Sequence, residues 1–229
     1  MQSPNYFYGD IMINKSTLEL LFSAIKEYDK LVGKDFLVGT YYKKDIPLEY
    51  IVIRIQKKNF WHLLGCKLLN TKEDIYAKCL NGEDITAYLD YTKTAADSKI
   101  KYEVFMRVFN FVYYAKQIRI SNTDNSPDYY NFRMASGIEN GIIGYDTFRH
   151  TNNSYFPKTT QRKEVSSYYN QEKKISVILS KSIHESSFDK LEFSSSERLL
   201  PKFISEIPDC YQTKLRDKYL NKESEKETI

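Results

Sequence analysis

The chain is poor in the residues from which several common kinds of site are built. Its three cysteines, Cys66, Cys79 and Cys210, are too few and too widely spaced for a disulfide framework or a zinc ribbon. No HExxH, EF-hand loop or clustered carboxylate motif is present, so neither a metal nor any other cofactor is expected. Eight glycines are scattered without a Walker loop or a GxGxxG turn, and Gly137, Gly141 and Gly144 do not form a phosphate cradle. A GxSxG nucleophile elbow is also missing. No apolar run reaches the ~20 residues that span a bilayer. The opening Met1-Gln2-Ser3-Pro4-Asn5-Tyr6 has neither the basic nor the apolar stretch of a signal peptide. The expectation is a reduced, cytoplasmic protein with no membrane partner.

What the chain does have is a foldable composition. In 229 residues, 41% are hydrophobic and 28% charged, enough for a sizeable core. A net charge of +4, from 34 basic and 30 acidic residues, is too mild to demand a nucleic-acid partner. Aromatics are abundant, with 20 tyrosines, 13 phenylalanines and one tryptophan, and can pack, stack on bases or anchor an interface.

Ser16-Thr17-Leu18-Glu19 has the spacing of a capping box, and Leu18, Leu21, Phe22, Ile25 and Val32 then fall near one helical face. An amphipathic helix is expected over 16–32, ended by Gly33. Strands are expected at 36–42 and 49–56, the second because Ile51, Ile53 and Ile55 alternate with Tyr50, Val52 and Arg54. A helical insert follows, with short helices at 72–81 and 83–91 and a longer one over about 97–117. Beyond the loop at 121–127, strands are expected at 129–135, 141–148, 175–181 and 190–194. The stretch 197–220 reads as helical after Pro208, and 221–229 as a charged tail. This gives an α+β fold with N-terminal helices packed on a mainly antiparallel sheet of about four to six strands. The single domain is expected to cover 1–195, with a C-terminal helical extension over 196–229.

Three strings carry residue types suited to chemistry. Asn59-Phe60-Trp61-His62-Leu63-Leu64-Gly65 follows the Ile-rich strand, so the sheet would hold His62 while its imidazole serves as acid or base near neutral pH. A structural histidine bonded to a backbone carbonyl is the plain alternative. In Tyr155-Phe156-Pro157-Lys158-Thr159-Thr160-Gln161-Arg162-Lys163, proline stiffens the backbone and the following lysine, threonines and arginine suit a phosphate. An ordinary solvated basic loop would look the same. The third string, Ile175 to Ser182, ends in Ser180-Lys181-Ser182, and its plain reading is a core strand with a polar end. His150 is a second candidate acid in a loop-like segment, and His184 lies in a Ser/Glu turn.

Together the strings resemble the phage-encoded Barnase–EndoU–colicin–RelE-like nucleases, and within them the fourth subgroup. The resemblance is carried by Phe60, His62, Leu63 and Gly65, by Ile143 and Gly144, by Pro157, Lys158 and Thr159, and by Ile178, Leu179, Ser180 and Lys181. It runs over about residues 16–195 and implies helices preceding a four-stranded antiparallel sheet. The implied activity is metal-independent RNA cleavage by a toxin or effector of a phage or other mobile element, acting in a bacterial host. On that reading His62 is base or acid, with His150, a tyrosine or a lysine as its partner. Lys158 and Lys181 hold phosphate charge, while Thr159 and Ser180 donate hydrogen bonds. Trp61, Tyr155, Arg162 and Lys163 would contact the substrate, with tRNA among the candidate RNAs. The opposing reading is a non-catalytic protein that uses the same fold to bind and inhibit a host defence protein. A host factor or a cognate antitoxin is then the partner. A third reading is a regulator that binds RNA without cutting it.

Overall fold

The Ile51-Ile53-Ile55 alternation sets the frame of the molecule. In β2 (Glu49–Ile55) these three side chains face one hydrophobic cluster, while Tyr50 and Val52 face another. The computed structural model describes residues 15–41, 49–69, 72–90, 98–122, 132–138, 140–147, 154–163, 173–197, 199–208, 211 and 215. Helix α1 (Lys15–Asp29) leads through Gly33, at φ +75°, into β1 (Lys34–Tyr41). After β2 come the 3-10 turn Lys57–Asn59, the short α2 (Phe60–Leu63) and α3 (Ile75–Leu80). A second 3-10 turn (Thr86–Tyr88) and α4 (Ser98–Val108) complete the helical half. The rest is β3 (Arg119–Asn122), β4 (Met134–Ile138), β5 (Gly141–Thr147), β6 (Ser154–Gln161), β7 (Lys173–Ser182), β8 (Lys190–Ser194) and α5 (Leu199–Glu206).

The sheet order is β1-β2-β6-β5-β4-β3-β7-β8, and β1 also pairs with β7. That second pairing closes a seven-stranded barrel and leaves β8 as an extra strand on the outer flank of β7. Only β2 and β6 are parallel, joined through Val52↔Ser154 and Ile53↔Tyr155; every other pairing is antiparallel. The expected N-terminal helices on an open sheet of about four to six strands are therefore overturned. β1 has no free edge, because β2 and β7 occupy its two sides, and β6 bridges β2 to β5. Closure satisfies backbone groups that an open sheet would leave at its edges.

Two cores result. One strand face, carrying Phe36, Val38, Ile53, Ile143, Tyr145 and Ile178, packs with α1 to α4 in a cluster that includes Tyr28, Phe60, Phe105 and Phe109. The opposite face of β1, β2 and β7 packs Leu37, Val52, Val177 and Leu179 against Leu200, Phe203 and Ile204 of α5. Gly39 permits that contact, since a Cβ there would lie 2.0 Å from the Phe203 ring.

Several local expectations change. The helix expected to 117 ends at Val108, and 109–117 continue as turns that still bury Phe111 and Ala115. A helix, α5, precedes Pro208, with Pro201 in its first turn, where a missing N–H costs nothing. The stretch expected to be helical after Pro208 lies largely outside the described residues, of which Leu215 is helical. Residues 216–229, and the strand start at 129–131, lie outside the described residues. Among the described residues, no helix is long and apolar enough to cross a membrane.

Candidate functional site

The string read as a loop is a strand. β6 buries Tyr155, Pro157 and Thr160 and leaves Ser154, Phe156, Lys158, Thr159 and Gln161 half-buried. Pro157 sits opposite Tyr145, next to the register shift at Gly144/Tyr145, a position in a ladder where a residue without N–H is tolerated. Gly144 is required there: a Cβ on it would come 2.6 Å from Phe132 and 2.9 Å from the Thr159 methyl.

Strand directions bring the three strings to one end of the barrel. β2 and β6 run parallel, and β7, antiparallel to β1, runs in the same sense as β2. All three therefore leave the barrel at the same end. There β2 passes into the 3-10 turn and α2, which rest on β6. α2 is closed by Gly65 at φ +68°, whose N–H donates to the His62 carbonyl at 3.1 Å. His62 is exposed, and among the described residues nothing hydrogen-bonds its imidazole. Trp61 beside it is half-buried, edge-on to Phe60 at 5.0 Å. Lys57 and Lys58 of the turn are exposed, so the His62 turn carries positive charge; Arg162 and Lys163, just past β6, are exposed as well. Lys57 also lies 5.2 Å over the Tyr76 ring.

The other named residues are engaged. Lys158 Nζ donates to Asp146 Oδ2 at 2.7 Å, and both side chains are about one-third exposed. Thr159 lies opposite Gly144. Lys181 donates to the carbonyls of Glu185, at 2.8 Å, and Ser186, and its ammonium lies 4.9 Å over the Phe188 ring. Ser180 is buried and donates to Glu192 Oε1 at 2.7 Å. Glu192 also receives Lys190 at 2.9 Å. Burial pushes its carboxyl pKa up, but the bonds from Lys190 and Ser180 outweigh that and hold it below the usual value. Tyr155 is buried in the core, between Ile53 and Thr147. His150 lies outside the described residues.

Sequence reading missed three carboxylates near these strings. Asp146 meets Lys158 only across the β5–β6 ladder, and Glu192 meets Ser180 across β7–β8. Asp35, buried on β1, takes a bidentate pair from Arg54, Nε to Oδ1 at 2.6 Å and Nη2 to Oδ2 at 2.7 Å. The one signal for the last was the Arg54 break in an apolar strand. Each partner pairing depends on register, which no spacing within one strand reveals. Cys66 is buried with its Sγ 3.0 Å from the Tyr102 hydroxyl, and burial raises its pKa; Cys79 is likewise pushed up to about 12. Neither is poised as a thiolate. Among the described residues no three His, Cys, Asp or Glu side chains group as metal ligands.

Among known families, the model described as phage-Barnase-EndoU-ColicinE5/D-RelE like nuclease 4 matches residues 20–197. No curated protein and no solved structure gives a significant match.

Proposed function

The chain belongs to the phage-Barnase-EndoU-ColicinE5/D-RelE like nuclease 4 family, and from that membership we propose that it cleaves RNA without a metal, as a toxin or effector of a phage or other mobile element. The observation that carries the reading is the exposed His62, set beside the exposed Lys57 and Lys58 at the end of the barrel where β2, β6 and β7 exit.

The reaction that fits is transesterification. A base removes the proton of the 2′-hydroxyl, the 2′-oxygen attacks phosphorus, the bond to the 5′-oxygen breaks, and an acid protonates that leaving oxygen. The products are a 2′,3′-cyclic phosphate and a 5′-hydroxyl. His62 serves as base or acid, with His150, a tyrosine or a lysine as the counterpart. Lys158 supplies charge to the non-bridging oxygens, released from Asp146 as substrate arrives, and Thr159 donates a hydrogen bond. Lys181 and Ser180 stand at the end of β7, where their present bonds hold the Glu185–Ser186 turn and Glu192. The cations around the His62 turn hold the RNA backbone.

One observation favours a second reading, a non-catalytic binder of a host protein: among the described residues no second histidine accompanies His62, since His184 lies in the turn after β7 and His150 is outside them. The purified protein should be incubated with total RNA and with tRNA in EDTA, and the fragment ends analysed. Cyclic phosphate ends support the nuclease reading. Intact RNA with folded protein would shift the weight to the binder.

A further inference from the structure

β6 carries an extra residue relative to β5, and that residue is Lys158. Tyr145 faces Pro157 and Gly144 faces Thr159, so Lys158 has no register partner on β5. A bulge of this kind bends the strand and re-aims the side chains around it. Strict alternation from the buried Tyr155 and Pro157 would also bury Thr159. Instead Thr159 stays half-buried, next in the chain to the half-buried Lys158, and the inward position passes to Thr160.

The Lys158 ammonium is met by Asp146, whose carboxylate is tied at both oxygens. Oδ2 accepts from Lys158 Nζ at 2.7 Å, and Oδ1 accepts the Thr147 N–H at 2.9 Å. The two ties differ in stiffness. One runs to the backbone of a paired strand, the other to the end of a flexible four-carbon stem. If the ammonium turns to a phosphate, the carboxylate therefore stays where Thr147 holds it. An ammonium has three N–H donors, and Asp146 takes one, so a phosphate that takes the others sits near a fixed negative charge. Both side chains are only about one-third exposed, so salt screens that charge less than it would on an open surface.

We propose that Asp146 determines which phosphates the Lys158 position keeps. It weakens the hold on every anion, and on a dianionic terminal phosphate more than on the monoanionic phosphodiester of an intact backbone. The proposal rests on the nuclease reading, in which Lys158 holds phosphate charge, and adds a residue that opposes that hold. Repulsion from Asp146 scales with the charge of the anion. Its removal therefore changes the affinity of a dianion by the square of the factor for a monoanion. Uncut chain is retained, and ends that carry a free phosphate are let go.

The test is inhibition of RNA cleavage by the full chain in EDTA at about pH 8, where a phosphomonoester is dianionic. The probes are 2′-O-methyluridine 3′-phosphate and its methyl ester, which is a phosphodiester. Asp146→Asn keeps the shape and an oxygen for Lys158 but removes the charge. It should tighten binding of the diester about 3- to 10-fold and of the monoester about 10- to 100-fold. Asp146→Glu, which keeps the charge, should leave the ratio of the two inhibition constants near that of the wild type. Melting temperatures taken in parallel confirm that each variant is folded. Equal changes for the two probes, no inhibition, no change, or weaker binding in Asp146→Asn, with the wild type cutting RNA, would overturn the role of Asp146 and leave the nuclease reading standing. A folded wild type that cuts no RNA would remove that reading, and the role with it.

Discussion

Replacing Gly39 with alanine tests how the barrel holds its C-terminal helix. A Cβ at Gly39 would lie 2.0 Å from Phe203 Cε2 and 2.7 Å from Cδ2. The ring has little room to retreat, being fully buried among Leu37, Val177 and Leu179 and tilted against Tyr50 at 5.3 Å. Overpacking of this kind costs about 1–3 kcal/mol, and so deep an overlap places Gly39→Ala at or above the upper figure. Phe203→Ala, which empties the same space, should cost about 3–5 kcal/mol. In the double variant the new methyl occupies part of the space the ring vacated. Its loss should therefore fall short of the sum of the singles by at least about 1 kcal/mol. Urea denaturation with unchanged slope reads all four proteins. Additivity within about 0.5 kcal/mol would refute the contact and, with it, the docking of α5 on β1.

Thr160 buries a hydroxyl with no hydrogen-bond partner among the described residues, so Thr160→Val should raise stability by about 1 kcal/mol in thermal or urea melts. A loss instead would mean that the hydroxyl is satisfied. The Glu192 carboxyl, depressed in the folded state, adds stability that is complete above the ordinary glutamate value near ~4.3 and disappears as pH falls through its lower folded value. Glu192→Gln should therefore be less stable than the wild type near neutrality, with the gap narrowing in acid; a constant gap would contradict the assignment. The Lys158–Asp146 pair is about one-third exposed, so Lys158→Ala should change stability by less than about 1 kcal/mol yet lower RNA cleavage about a hundredfold. Equal losses in melting temperature and activity would make Lys158 structural.

Elements with strong periodicity were legible in the sequence. α1, β1, β2, β5, β7 and β8 fall within a few residues of where hydrophobic spacing puts them. β6 was not legible, because Pro157, Lys158 and two threonines hide an alternation that appears only in what is buried. β3, with four residues, is too short to show a period. The closure was out of reach for a different reason: β1 and β7 are far apart in sequence, and nothing local to either strand announces that they pair. The site follows the same division. His62 and Lys158 enter the candidate site from residue type and neighbours alone, whereas Asp146, Glu192 and the Asp35–Arg54 pair emerge only once register is known. Tyr155, named as a surface contact, faces the core because β6 is a strand whose odd positions turn inward up to the bulge.

The central claim is that the His62 turn is where RNA is cut. Its most direct measurement compares wild type and His62→Ala on single-stranded RNA in EDTA, with melting temperatures taken in parallel. Because His62 is exposed, the variant should melt like the wild type, while cleavage falls about a hundredfold or more. Equal cleavage by both proteins, producing the same ends, would contradict the account and send the search for the catalytic group elsewhere in the chain.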